Sequence, residues 1–482
     1  MGLSRIETLI NHRIVTVGLL LVVVFKLALI AALLFFHFEA FNFIEFEIVS
    51  FAMLLGRGDL PYRDIATHIM PIGYYTPLCY WTPALLGKVF NVLDDPHAFL
   101  MTFRALIYFY TTGIAFLAFL IARQLSKSVS VGLFVLTAIL SPPWSPLGVR
   151  PDWAPFFFSV IAFWLIVKSQ QRSVFLWIVC GVLFAVSFLH LQRYFALYVA
   201  VFAVLMLQKQ IKNAIFLGSA FTLTLIVVML PIYISTKGNA IDHFITLPAV
   251  VSVPGHLYKG IFRYGVGFPF YIMAFGALAA LPSLLQKSLF NDRVLVAYAV
   301  ICLVWTLYTM RSIGASTNQV LELVFIMALL VAAGWGHCAS VFLRWILFLA
   351  ILVIPLYCFV ETVSKAREVF LGLRVPYDQT LGYEEIIRSL PAGPMLSDDT
   401  VLPYRANHPE ASVEVAYYTD FLIPQGRFDV NPTIERLKSK SYKSLVFTRG
   451  SNLFKIFEDV INQGYIQTRE FGKYVVWEPV AD

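Results

Sequence analysis

Charge is scarce in this chain. Asp, Glu, Lys and Arg together make up 13% of its 482 residues, while 59% are hydrophobic. That balance excludes a soluble globular protein of this size, whose surface needs far more polar cover. Cysteine is also rare: there are five, and none stands in a CxxC or Cys/His spacing, so no cysteine-based metal site is expected. Cys180, Cys302, Cys338 and Cys358 fall in or beside apolar runs and Cys79 in a semi-polar one, the pattern of buried thiols. The region after residue 362 has no Cys and therefore no disulfide. No internal repeat or low-complexity tract is visible, which counts against the paired halves common in transporters.

What the chain has instead is length in its apolar runs. They lie near 13–36, 104–121, 129–141, 153–168, 173–189, 194–208, 213–232, 262–285, 293–310, 318–336 and 344–361. Runs of this length cross a bilayer as helices, which satisfy every backbone group internally. The expected fold is an all-α polytopic membrane protein of about eleven spans. The first run lacks a small-residue cleavage site and reads as a retained span.

The net charge of +7 does not mark a nucleic-acid binder. The basic residues cluster in short loops: Arg5 and Arg13, Arg123 and Lys127, Lys168 and Arg172, Lys209 and Lys212, Lys287 and Arg293, and Arg344. Placed in the cytoplasm, these loops set the N-terminus inside and the C-terminus outside. Residues 72–90, rich in Tyr and Pro, would reverse every later loop if they crossed. They are read as a juxtamembrane helix on the outer leaflet, within a first outer loop spanning 37–103. Residues 1–362 then form the transmembrane domain, and 363–482 a small outward α/β domain. In the latter, 382–390 and 452–463 read as helices and 442–448 and 473–479 as strands.

The informative residues are ionisable groups gathered on one face of the apolar zone, because each is costly there unless paired or functional. The first outer loop holds Glu45, Glu47, Arg63, Asp64 and His68, with Tyr74 and Tyr75 close by. Arg150 and Asp152 head one span, Arg193 opens another, and Arg311, Asn318 and Glu322 precede or enter a third. Carboxylates and guanidinium groups converging from several helices point to a charged substrate with an apolar remainder. Arg matches phosphate, and a carboxylate serves as base for a hydroxyl nucleophile.

GRGDLPYRD followed by PIGYYTPLCYW, VRPDWAPFFF (149–158), LHLQRYFALY (189–198), GASTNQVLE (314–322) and PAGPMLSDDTVLPYRANHPE (391–410) occur in that order. Together they resemble the GT-C class of membrane glycosyltransferases. The closer likeness is to bacterial members of the protein O-mannosyltransferase and lipid A aminoarabinose transferase superfamily. The resemblance implies an inverting transfer of a monosaccharide from a polyprenyl-phosphate donor to an acceptor hydroxyl on a lipid, glycan or protein. It implies the periplasmic face of a bacterial inner membrane, no nucleic-acid partner and no metal or other cofactor. The family's Asp-Glu pair falls on Ile44 and Glu45, so the Asp position is apolar here. Glu45 is the first expected base and Glu47 the second. Asp152 matches the second family carboxylate, a catalytic-site residue that the resemblance implies positions the acceptor or donor sugar. Arg193 replaces the usual Lys as a phosphate ligand, with Arg150, Arg63 and Arg311 as further phosphate candidates. Asp64, His68, Tyr74, Tyr75, Asn318 and Glu322 are expected to contact substrate. The alternative readings are a transporter or flippase, or a polymerase or ligase, for lipid-linked glycans.

Overall fold

The computed structural model describes residues 3–36, 43–59, 62, 69, 73, 75–140, 150–169, 173–246, 268–286, 289–309, 320–338, 340–370, 383–411 and 417–480. Each expected apolar run contains a helix. Helix α1 (Leu3–Ile10) precedes α2 (Arg13–Phe36), and α3 (Phe43–Arg57) and α4 (Leu78–Val89) lie in the long segment that follows. The bundle continues with α5 (Pro96–Ser126), α6 (Val129–Ile139), α7 (Trp153–Lys168), α8 (Val174–His190), α9 (Ala196–Leu207) and α10 (Ile211–Ser235). It closes with α11 (Phe268–Leu285), α12 (Phe290–Thr309), α13 (Leu321–His337) and α14 (Val341–Phe370). Five of these helices are long and apolar enough to cross a membrane, and six shorter apolar helices accompany them among the described residues. The protein is a multi-pass helical membrane protein. Helix α4 has 12 residues and carries Pro83, so it is shorter than the expected 72–90 element and too short to span.

Local chemistry fixes the helix ends. One Asp95 oxygen accepts from the N–H groups of His97 and Ala98 at 2.9 and 3.0 Å, and Pro96 fills the first turn of α5. Lys127 ends that helix in the left-handed region at φ 60°, and the Ser128 side chain caps α6 one residue later. This gives a tight hairpin between α5 and α6.

Burial sorts the helices by depth in the bundle. Every residue of α13 from Leu321 to Trp335 is buried, and it packs against α5, α6, α11, α12 and α14. By contrast, α10 buries little besides Ala214, Leu217 and Ile232. A uniformly apolar helix can take either place, so neighbours decide. Small residues let backbones approach. A Cβ on Gly181 of α8 would stand 2.5 Å from the Leu217 carbonyl oxygen and 2.8 Å from the Ala220 Cβ on α10. Gly181→Val is therefore expected to pry α8 from α10 at a cost of about 1–3 kcal/mol. Thermal unfolding in detergent checks this; an unchanged midpoint would mean the helices simply slide.

After α14 come α15 (Tyr383–Ser389), β1 (Met395–Ser397), α16 (Val401–Arg405), α17 (Asn431–Lys438), β2 (Ser444–Thr448), α18 (Asn452–Gly464), β3 (Tyr465–Phe471) and β4 (Tyr474–Pro479). The sheet order is β1-β2-β4-β3, with β1 and β2 parallel and the other pairs antiparallel. Both expected helices and both expected strands are present. The strands β1 and β3 add to them. This region sits against the start of the bundle. The Tyr404 ring meets Phe46 of α3 edge-on at 5.2 Å, and its hydroxyl donates to the Pro96 carbonyl. Arg57 donates to the Leu93 carbonyl at 2.9 Å and to the side-chain oxygen of Asn407.

Candidate active site

The candidate residues stand where loops meet helices at one end of the bundle. Asp152 immediately precedes α7, and its carboxylate caps none of that helix's amides. It is fully buried and forms an ion pair with Arg193, from the turn between α8 and α9. The Tyr194 hydroxyl donates to the same Asp152 oxygen at 3.3 Å, while the Arg193 guanidinium lies 5.3 Å from the Tyr194 ring centre. From α12, the Trp305 indole N–H donates to the Arg193 carbonyl at 2.8 Å. The turn is held from below: the Ser187 hydroxyl contacts the Pro155 carbonyl at 2.8 Å and the Tyr194 carbonyl at 3.2 Å. Arg193 is thus fixed at its backbone, at its guanidinium and across a ring face, yet keeps 18% of its side chain exposed.

Glu322, in the first turn of α13, accepts from the Tyr298 hydroxyl of α12 at 2.8 Å and feels the charge of Arg193. Tyr75, just before α4, lies in the fields of Arg150, Glu47 and Arg193 together. Burial pushes the Tyr75 hydroxyl well above its ordinary range, which keeps it a proton donor; the two arginines pull the other way. Its backbone N–H donates to the Tyr80 hydroxyl at 3.3 Å. Arg150 also lines a small nook of about 10 Å³, with Cys79, Pro83, Phe103, Tyr110 and His190, where it is the one charged group among the described residues.

The two glutamates of α3 part company. They are two positions apart, so on a helix they project roughly 200° from one another. Glu45 is fully buried and takes a two-pronged bond from Arg104 of α5, at 2.9 and 3.0 Å. Tyr404 lies on that side as well. Glu47, also buried, acts on Tyr75, which in turn feels Arg150 and Arg193. The structure thus brings Glu47, Tyr75, Arg150, Asp152, Arg193 and Glu322 into one neighbourhood, and sets the first expected base, Glu45, in a separate ion pair. The expected site residues Arg63, Asp64, His68, Tyr74, Arg311 and Asn318 lie outside the described residues. Sequence reasoning missed Arg104, Tyr194 and Tyr298. An Arg heading an apolar run was the available signal for Arg104; for the two tyrosines there was none beyond composition. Among the described residues, no group of three or more His, Cys, Asp or Glu is placed to hold a metal ion.

No family model matches the chain, and no curated protein sequence does. Among the solved structures that match it are two states of one protein, each covered nearly end to end. The crystal structure of ArnT from Cupriavidus metallidurans bound to undecaprenyl phosphate is 13% identical, with 97% of this chain and 98% of that one covered, at TM-score 0.64. The same protein in the apo state is 12% identical, with 96% and 98% covered, at TM-score 0.65. This is the ArnT fold. Coverage of that extent takes in the bundle and the C-terminal region together, so the likeness to ArnT is one of whole-chain architecture. It is a likeness of fold, and it agrees with the resemblance that the sequence motifs carry.

Proposed function

We propose that the protein is an inverting glycosyltransferase. It moves a monosaccharide from a polyprenyl-phosphate donor to an acceptor hydroxyl at the periplasmic face of a bacterial inner membrane, without a metal. The observation that carries this reading is the meeting of Glu47, Arg150 and the Asp152-held Arg193 around Tyr75. An acid, two cations and an aromatic face suit a phosphorylated lipid sugar. The undecaprenyl phosphate bound in the ArnT structure supports the donor class.

In this reading Glu47 takes the proton of the acceptor hydroxyl. The acceptor oxygen attacks the anomeric carbon as the bond from that carbon to the phosphate oxygen breaks. The electron pair leaves with the lipid phosphate, whose charge meets Arg193 and Arg150. Asp152 positions Arg193 and does not touch the reacting atoms. Glu322 and Tyr298 brace the far wall. The flippase reading has less support, because it calls for charge near the bilayer midplane between two repeats.

The test is to incubate the purified protein with polyprenyl-phosphate sugars and an acceptor extract and follow the released lipid phosphate. Release that needs both protein and acceptor supports transfer; release from no donor tried overturns it. In the same assay, Asp152→Asn is expected to lower turnover about 100-fold through misplacement of Arg193. A variant that loses thermal stability but not turnover would make Asp152 purely structural.

A further inference from the structure

Among the described residues, the C-terminal region meets the candidate site at Tyr75. Residues 417–430 fold into a compact latch. Tyr418 and Phe428 meet edge to face at 5.0 Å and, with Leu422, form a small buried cluster apart from the core of the sheet. The latch is closed by its own backbone: Ile423 N–H donates to the Tyr418 carbonyl, and Arg427 N–H to the Leu422 carbonyl, each at 2.9 Å. Three large apolar side chains are nonetheless not spent on the sheet. What packs against them is Ile69 and Tyr75, both from the segment before α4. Ile69 also enters the sheet core itself, so this segment is pinned at two points by the region that ends the chain.

Tyr75 is therefore held from two directions. On the bundle side are Tyr80, whose ring lies 6.2 Å away, and the charges of Glu47, Arg150 and Arg193. On the other side is the Tyr418–Phe428 cluster. A half-buried ring with apolar contacts on one flank and charges near its hydroxyl has its rotamer set by the apolar flank. Without that flank the hydroxyl is free to leave the charges.

We propose that Tyr418 and Phe428 are positioning residues of the candidate site: the C-terminal region sets where Tyr75 stands among Glu47, Arg150 and Arg193. This deepens the transferase reading and rests on it only in taking that site as the reactive one. The C-terminal region then contributes directly to turnover.

The experiment is a double-mutant cycle in the full-length protein, with Phe428→Ala, Tyr75→Ala and the two combined. Turnover is measured on a polyprenyl-phosphate sugar, and binding is measured on undecaprenyl phosphate alone by tryptophan fluorescence. Phe428→Ala is expected to lower kcat about tenfold with little change in donor KM. In the Tyr75→Ala background the same change is expected to have no further effect, since the two act through one ring. Phe428→Leu keeps the apolar flank and is expected to recover most of the rate; Tyr418→Ala, which removes the other ring of the cluster, carries the cycle if Phe428→Ala fails to fold. Equal losses from Phe428→Ala in both backgrounds, or no loss in either, overturn the proposal. A wild-type protein that transfers no sugar defeats the transferase reading instead. The cycle is then read in undecaprenyl phosphate binding, where the same non-additivity supports the positioning role and additivity ends it.

Discussion

Glu47→Gln is expected to lower sugar transfer by about 10²–10⁴-fold, the usual worth of a general base, with the unfolding midpoint unchanged. Gln keeps the shape of the side chain and its capacity to accept a hydrogen bond from a hydroxyl, but it does not take the proton. The donor is held by its phosphate at the arginines, so its KM should stay near the wild-type value. Rates measured across pH sharpen the test: the acidic limb of the profile belongs to the base and should vanish in the variant. A Glu47→Gln protein that turns over at the wild-type rate removes this residue from the chemistry.

Its neighbour two positions earlier should behave in the opposite way. Arg104→Ala leaves the Glu45 carboxylate with no counter-charge in a place where both groups show no exposed surface. Breaking one side of such a pair costs about 3–5 kcal/mol, enough to deplete folded protein in detergent. Glu45→Leu combined with Arg104→Met removes both charges and is expected to restore much of that loss, because two packed apolar groups replace two desolvated ions. Yield and unfolding midpoint of each single variant and of the double decide the matter. Stability in the Arg104→Ala protein equal to wild type would mean that the pair does not fasten α3 to α5. If Glu45→Gln instead folds well and loses all transfer, the base is Glu45 and the order of the two glutamates reverts to the one the family pattern implies.

The different surroundings of Glu45 and Glu47 show where sequence reasoning stops. The helices of the bundle were legible because a run of apolar residues long enough to span has few other fates. In the C-terminal region, β2 and β4 announce themselves by Val, Phe and Trp. β1 has three residues, too few for a pattern, and β3 buries only Tyr465 among its seven, so no alternation betrays it. The neighbourhood of Asp152, Arg193 and Glu322 was readable from ionisable groups next to apolar runs, since desolvation makes such residues rare. Their division of labour was not. Whether Glu45 or Glu47 faces Tyr75 depends on the rotation of α3 about its own axis. That rotation is set by Arg104, 59 residues away in sequence, and by Tyr404, which lies beyond the whole bundle. No local pattern encodes contacts of that span.

The sheathing of α13 bears on how the protein is made. Of the helices around it, α5, α6, α11 and α12 are all synthesised earlier, and only α14 follows. The central piece therefore enters the membrane after most of its surroundings, as a plug into a waiting ring. A ribosome halted before residue 321 would leave that ring empty, with its inner walls exposed to lipid or to each other.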